Sequence, residues 1–135
     1  MFRLVLSAAI VVATTGSLSA ATCAGSDPTI ASVAVKNVTQ TAGLNNYDIQ
    51  GTVTNATGTA QPKNLLQSVD VYLGSEKLDA KSIPPLGPGQ SATFDYTFQR
   101  SKDAGTGTTT LHFVVDLHND ASDCAANAHT NDVTF

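Results

Sequence analysis

The chain has 135 residues, is 41% hydrophobic, and sets 7 Lys and Arg against 11 Asp and Glu for a formal net charge of −4. That length holds one domain of ordinary size, and the apolar fraction excludes a disordered acidic chain. The scattered basic residues exclude a nucleic-acid binder, because neutralising phosphates requires clustered Lys and Arg.

The first stretch reads as one basic residue, Arg3, an apolar run from Leu4 to Ala13, and a small-residue segment ending Ser19, Ala20, Ala21. This three-part pattern predicts a secretory signal peptide over residues 1–21, cleaved after Ala21, and a single domain over residues 22–135. Thr14, Thr15, Gly16 and Ser17 interrupt the run after about ten apolar residues, half of what a membrane span needs. The mature chain is therefore expected in the periplasm or outside the cell, without a membrane span. Its only cysteines are Cys23 and Cys124. An oxidising compartment predicts that they pair as a disulfide, and closing a loop of about 100 residues removes roughly 4 to 5 kcal/mol of unfolded-state entropy.

Beyond the signal, the apolar positions follow the two-residue period of strands. Residues 29–38 place Ala31, Val33 and Val35 on one face, which predicts a first strand. Asn45 and Asn46 predict a turn, after which Tyr47, Ile49, Gly51 and Val53 share a face of a second strand. Residues 55–64, rich in Asn, Gly and Pro, read as a loop. Val69, Val71 and Leu73 predict a third strand, Gly74 and Ser75 a tight connection, and residues 77–83 a short fourth strand. The segment Pro84-Pro85-Leu86-Gly87-Pro88-Gly89 cannot sustain a hydrogen-bonded ladder and predicts a corner. Ala92, Phe94, Tyr96 and Phe98 then share a face of a fifth strand. The polar loop 100–107 contains Gly105-Thr106-Gly107 with no helix after it, so it is read as a turn and not as a phosphate site. Leu111, Phe113, Val115 and Leu117 predict a sixth strand, and residues 130–135 the last. The fold class expected is all-β, an antiparallel Ig-like sandwich of about seven strands. Its inward set is Val33, Val35, Ile49, Val53, Val69, Val71, Leu73, Phe94, Tyr96, Phe98, Leu111, Phe113, Val115 and Val133.

The stretch Ile49-Gln50-Gly51-Thr52-Val53-Thr54-Asn55-Ala56-Thr57-Gly58-Thr59-Ala60 resembles the V.N.G...A segment of the bacterial cell-adhesion-related domain, CARDB. Val69-Asp70-Val71-Tyr72-Leu73 is similar to its partner strand, and Ile83-Pro84-Pro85-Leu86-Gly87-Pro88-Gly89-Gln90-Ser91 to its L.pG.s corner. Val114-Val115-Asp116 enters the final hairpin. The resemblance covers residues 32–135 and implies an exported Ig-like module of binding or surface type, with no catalytic residues to carry over.

Candidate chemistry gathers in one place. Asp116, His118, Asp120 and Asp123 lie within eight residues, with His129 on the following strand. An EF-hand is excluded because its third and sixth positions are His118 and Ala121, with Asn127 at the twelfth. Asp116, His118 and His129 are the candidate ligands for zinc or copper if the two imidazoles face each other. A solvated acidic turn is the simpler reading. His112 is read as a surface histidine. No G-x-S-x-G, H-E-x-x-H or phosphate loop occurs, so neither catalysis nor a cofactor is expected. Asn37-Val38-Thr39 and Asn55-Ala56-Thr57 have the form of glycosylation sequons. The expected function is a small, non-catalytic binding module that engages a protein or cell-surface partner, with Val114 and Tyr72 on the outer face as the expected apolar patch. The alternatives are a metal-binding protein and a self-associating surface component.

Overall fold

The computed structural model describes residues 25–103, 107–117 and 130–135. Among them run seven strands: β1 (Pro28–Thr41), β2 (Leu44–Asn55), β3 (Gln67–Leu73), β4 (Glu76–Ile83), β5 (Ser91–Ser101), β6 (Thr110–Leu117) and β7 (Thr130–Thr134). They form two sheets, ordered β1-β2-β5 and β4-β3-β6-β7, with every neighbouring pair antiparallel. The protein is an all-β sandwich. Alternation explains it: each strand has one apolar face, and two sheets bury those faces together. Residues 1–21, Cys23 and Cys124 lie outside the described residues.

The core is filled from both sheets. Ile49, Val53 and Phe94 descend from one, and Val69, Val71, Leu111, Phe113, Val115 and Val133 rise from the other, all buried as their alternation predicts. Val33, Val35, Tyr96 and Phe98 pack against that cluster while remaining partly exposed. Burying one such side chain contributes about 1.5 to 3 kcal/mol, so this set is the main source of stability. Phe113 lies at its centre, 5.6 Å from the Phe94 ring and edge-on to Tyr96 at 6.5 Å. Phe135 closes one end by stacking on Tyr47 at 4.1 Å and leaning on Phe98 at 5.8 Å.

Three sequence expectations are corrected. The first hairpin turns at Ala42 and Gly43, not at Asn45 and Asn46, since Thr41 pairs with Leu44 and both asparagines already lie in β2. Gly43 has φ +79°, which only glycine adopts without strain and which suits the second central residue of a type II turn. Leu73 is not inward but 37% exposed. It keeps the phase of Val69 and Val71, opposite buried Leu111, but it is the last residue of β3 beside the Gly74 turn, where the end of the sheet leaves it open to solvent. In β1, shifts between Ile30 and Ser32 and between Val35 and Asn37 insert extra residues. Ile30 therefore joins the core although strict alternation with Val33 assigns it to solvent.

Candidate binding surface

The segments that carry the CARDB resemblance meet at Asn55, the last residue of β2, which is fully buried. Its side-chain amide donates to the carbonyls of Thr59 at 2.7 Å, Gly87 at 3.2 Å and Leu86 at 3.3 Å. Its Oδ1 accepts from the backbone N–H groups of Asp27 at 3.1 Å and Thr57 at 3.3 Å. The Asn55 N–H donates to the Gln90 carbonyl, and the Gly89 N–H donates back to the Asn55 carbonyl. One side chain thus joins the lead into β1, the loop after β2 and the proline corner before β5. The corner itself is a type II turn, with the Gln90 N–H bonded to the Gly87 carbonyl at 3.1 Å and Gly89 at φ +66°. These motif residues form a structural clamp.

Beside the clamp, Gln61 and Gln67 are buried and exchange reciprocal amide bonds of 2.9 and 2.8 Å. Gln67 also donates to the Pro84 carbonyl at 2.9 Å, and Gln61 accepts from the Leu86 N–H at 2.8 Å. This network fixes the loop before β3 to the corner. Above it opens a groove of about 520 Å³, whose walls include Leu66, Ser68, Ala80, Ser82, Pro84 and Pro85. Leu66 is 64% exposed, more than Val38 at 47%. A sequence signal for it existed: Leu65 and Leu66 are adjacent just before a strand, and where the chain runs extended successive side chains point to opposite sides. Leu65 is the buried member.

The groove sits at one end of the outer face of the four-stranded sheet. Register places Lys77, Tyr72, His112 and Asp132 in a row across all four strands at the other end. His112 Nδ1 pairs with Asp132 Oδ1, and both side chains are exposed. Between row and groove lies Asp70, 2% exposed although it is on the outer face. Its carboxylate accepts from Ser68 Oγ at 2.7 Å and from Lys77 Nζ at 2.6 Å. The bond to Asp70 holds the Lys77 ammonium above the ordinary lysine range. At the margin between β4 and β5, Lys81 Nζ pairs with Asp79 at 2.7 Å and lies 5.8 Å from the Tyr96 ring centre. The hydrogen bond to Lys81, helped by the Ala80 N–H, lowers the Asp79 carboxyl, while burial raises the Tyr96 phenol.

Of the candidate metal ligands, Asp116 is in β6 opposite Ser68. His118 and His129 lie outside the described residues, as do Asp120 and Asp123. Among the described residues no three His, Cys, Asp or Glu side chains gather. Val114 and Tyr72 do share the outer face through register with Asp70 and His112. Both are half-buried, so the apolar patch expected there is corrected to Leu66.

No curated protein and no solved structure matches the chain. A family model does, over residues 26–133, a span that includes the Asn55 clamp, the proline corner and all but the end of β7. On that match the chain belongs to the CARDB family, a family of Ig-like modules.

Proposed function

We propose that this protein is an exported, non-catalytic binding module that engages a protein or cell-surface partner through the Leu66 groove. The observation that carries the reading is an exposed leucine on a loop held by buried Gln61 and Gln67. A loop ordered before contact loses little conformational entropy on binding, and an apolar anchor beside a shaped groove is where binding energy concentrates. Family membership supports a binding role over a catalytic one. The signal-like residues 1–21 support export.

The test is retention of the exported protein on envelope fractions of a related host, comparing the natural chain with Leu66→Glu. The expected outcome is a loss of retention of about tenfold or more with an unchanged melting temperature, since a central anchor typically contributes 2 kcal/mol or more. Equal retention of both proteins would refute the groove as the contact. Fractionation of the same culture tests export, and a full-length cytoplasmic product counts against it.

A further inference from the structure

Four strands border the two sheets: β1 and β5 in one, β4 and β7 in the other. Such edges offer unpaired N–H and C=O groups to other chains, and folded proteins blunt them. β1 has two register shifts. β4 has one, and it sets Lys81 and Asp79 opposite the core residues Val69 and Val71, so charge points inward at that edge. β7 is only 5 residues long. β5 has no register shift and is not short, and its one charge on the core-side face, Arg100, lies next to its end. Its 11 residues pair with β2 in unbroken register from Ser91 to Ser101, and it contains neither glycine nor proline.

The ladder phase shows what this edge presents. The Asn55 N–H bonds to the Gln90 carbonyl and the Lys102 N–H to the Gly43 carbonyl, so even-numbered residues of β5 face β2. By alternation, the N–H and C=O groups of Ser91, Thr93, Asp95, Thr97, Gln99 and Ser101 point to the free side. About Tyr96 the strand S-A-T-F-D-Y-T-F-Q-R-S matches itself in reverse at Phe94 with Phe98 and at Ser91 with Ser101, while Thr93 with Gln99 and Asp95 with Thr97 are polar on both sides.

We infer that β5 pairs antiparallel with β5 of a second copy of this chain, on a two-fold axis at Tyr96. Asp95 then faces Thr97 of the partner subunit, Thr93 faces Gln99 of the partner subunit, and Ser91 faces Ser101 of the partner subunit. These are the hydrogen-bonded positions, and their side chains are small or polar. On the core side Phe94 faces Phe98 of the partner subunit and Tyr96 faces Tyr96 of the partner subunit, at the closer, non-hydrogen-bonded positions where aromatic pairs contribute most. Only two-residue steps keep the ladder in phase. A step that centres the axis on Asp95 sets two carboxylates face to face, and one that centres it on Thr97 shortens the ladder and sets Phe94 against Arg100 of the partner subunit. Two three-stranded sheets become one of six strands. This pairing is independent of the Leu66 groove, which lies on the other sheet.

Sedimentation of the purified exported chain between about 1 μM and about 1 mM tests it, together with hydrogen exchange. The expected result is a twofold rise in mass with concentration, accompanied by slowing of roughly tenfold or more at the amides of Thr93, Asp95, Thr97 and Gln99. Thr93→Pro removes an N–H on the free side without touching the β2 ladder, and it should keep the protein monomeric at every concentration. Tyr96→Cys should form an intermolecular disulfide, because directly opposed residues at such a position lie about 4.5 Å apart, whereas Thr93→Cys should not. A chain that stays monomeric at 1 mM overturns the inference. So does a rise in mass that Thr93→Pro leaves unchanged, or protection of these amides only by an added extended peptide.

Discussion

Substituting Asn55 by alanine removes a side chain that reaches three segments at once. The backbone groups it leaves behind are the carbonyls of Thr59, Leu86 and Gly87 and the N–H groups of Asp27 and Thr57. A buried polar group stripped of its partner costs about 1 to 3 kcal/mol, and groups at the rim recover part of that from water. Counting two to three such groups as stranded, Asn55→Ala should lose roughly 3 to 5 kcal/mol, a large share of the stability of a domain this size. Urea unfolding followed by circular dichroism reads this as a lower midpoint at an unchanged slope, with a melting temperature lower by roughly 10 to 20 °C. Asn55→Asp sharpens the test. It keeps the acceptor, but sets a carboxylate oxygen where the amide had donated to carbonyls, which raises its folded-state pKa above the unfolded one. Folding then takes up a proton, so the aspartate variant should be least destabilised at acid pH and lose stability as pH rises through the raised value, while the alanine variant shows no such slope. A loss below about 1 kcal/mol for Asn55→Ala would refute the clamp.

Gly51 lies opposite Phe94, and a Cβ added there would fall 2.1 Å from the ring Cζ. Gly51→Ala should therefore cost about 1 to 3 kcal/mol by overpacking, and the smaller ring site of Gly51→Ala with Phe94→Leu should cost less than the two single changes added together, measured as a double-mutant cycle. Full additivity would count against that contact. The Tyr96 phenol is raised by burial and then by the Asp79 charge, so its stabilising effect holds below the unfolded tyrosine value and disappears as pH climbs through the raised one. Absorbance titration should show the last tyrosinate to form missing in Tyr96→Phe. Asp79 is lowered by Lys81, so its stabilising effect is present above the unfolded carboxyl value and lost as pH falls through the lowered one. Thermal melts in acid should show a flatter decline for Asp79→Asn. In a glycosylating host, the folded secreted fraction should carry no glycan at Asn55, whose amide nitrogen is buried and bonded to three carbonyls. Peptide mass spectrometry decides this.

The strands and their inward residues were legible because burial on one face imposes a period of two, and Ile49, Val53, Phe94, Leu111 and Phe113 obey it. Ala42-Gly43 and Asn45-Asn46 both have turn chemistry, and only strand register places the first hairpin at Gly43. Ile30 and Leu73 depart from the alternation reading for different reasons: a bulge in β1 shifts the phase at Ile30 and nothing local in the residues marks it, whereas Leu73 keeps its phase but ends its strand at an open edge of the core. Asn55 was visible as a motif position, yet its role as a clamp depends on carbonyls some thirty residues away, brought beside it by the crossing of the chain from one sheet to the other. The Leu66 groove and the unguarded edge of β5 are likewise products of arrangement. Composition and periodicity determine that this chain makes a sandwich of strands, because they reflect each residue's choice between core and solvent. Which loop is braced, which leucine stays outside and which edge is left open were decided only when the two sheets closed on each other, because those properties belong to pairs of segments distant in the chain.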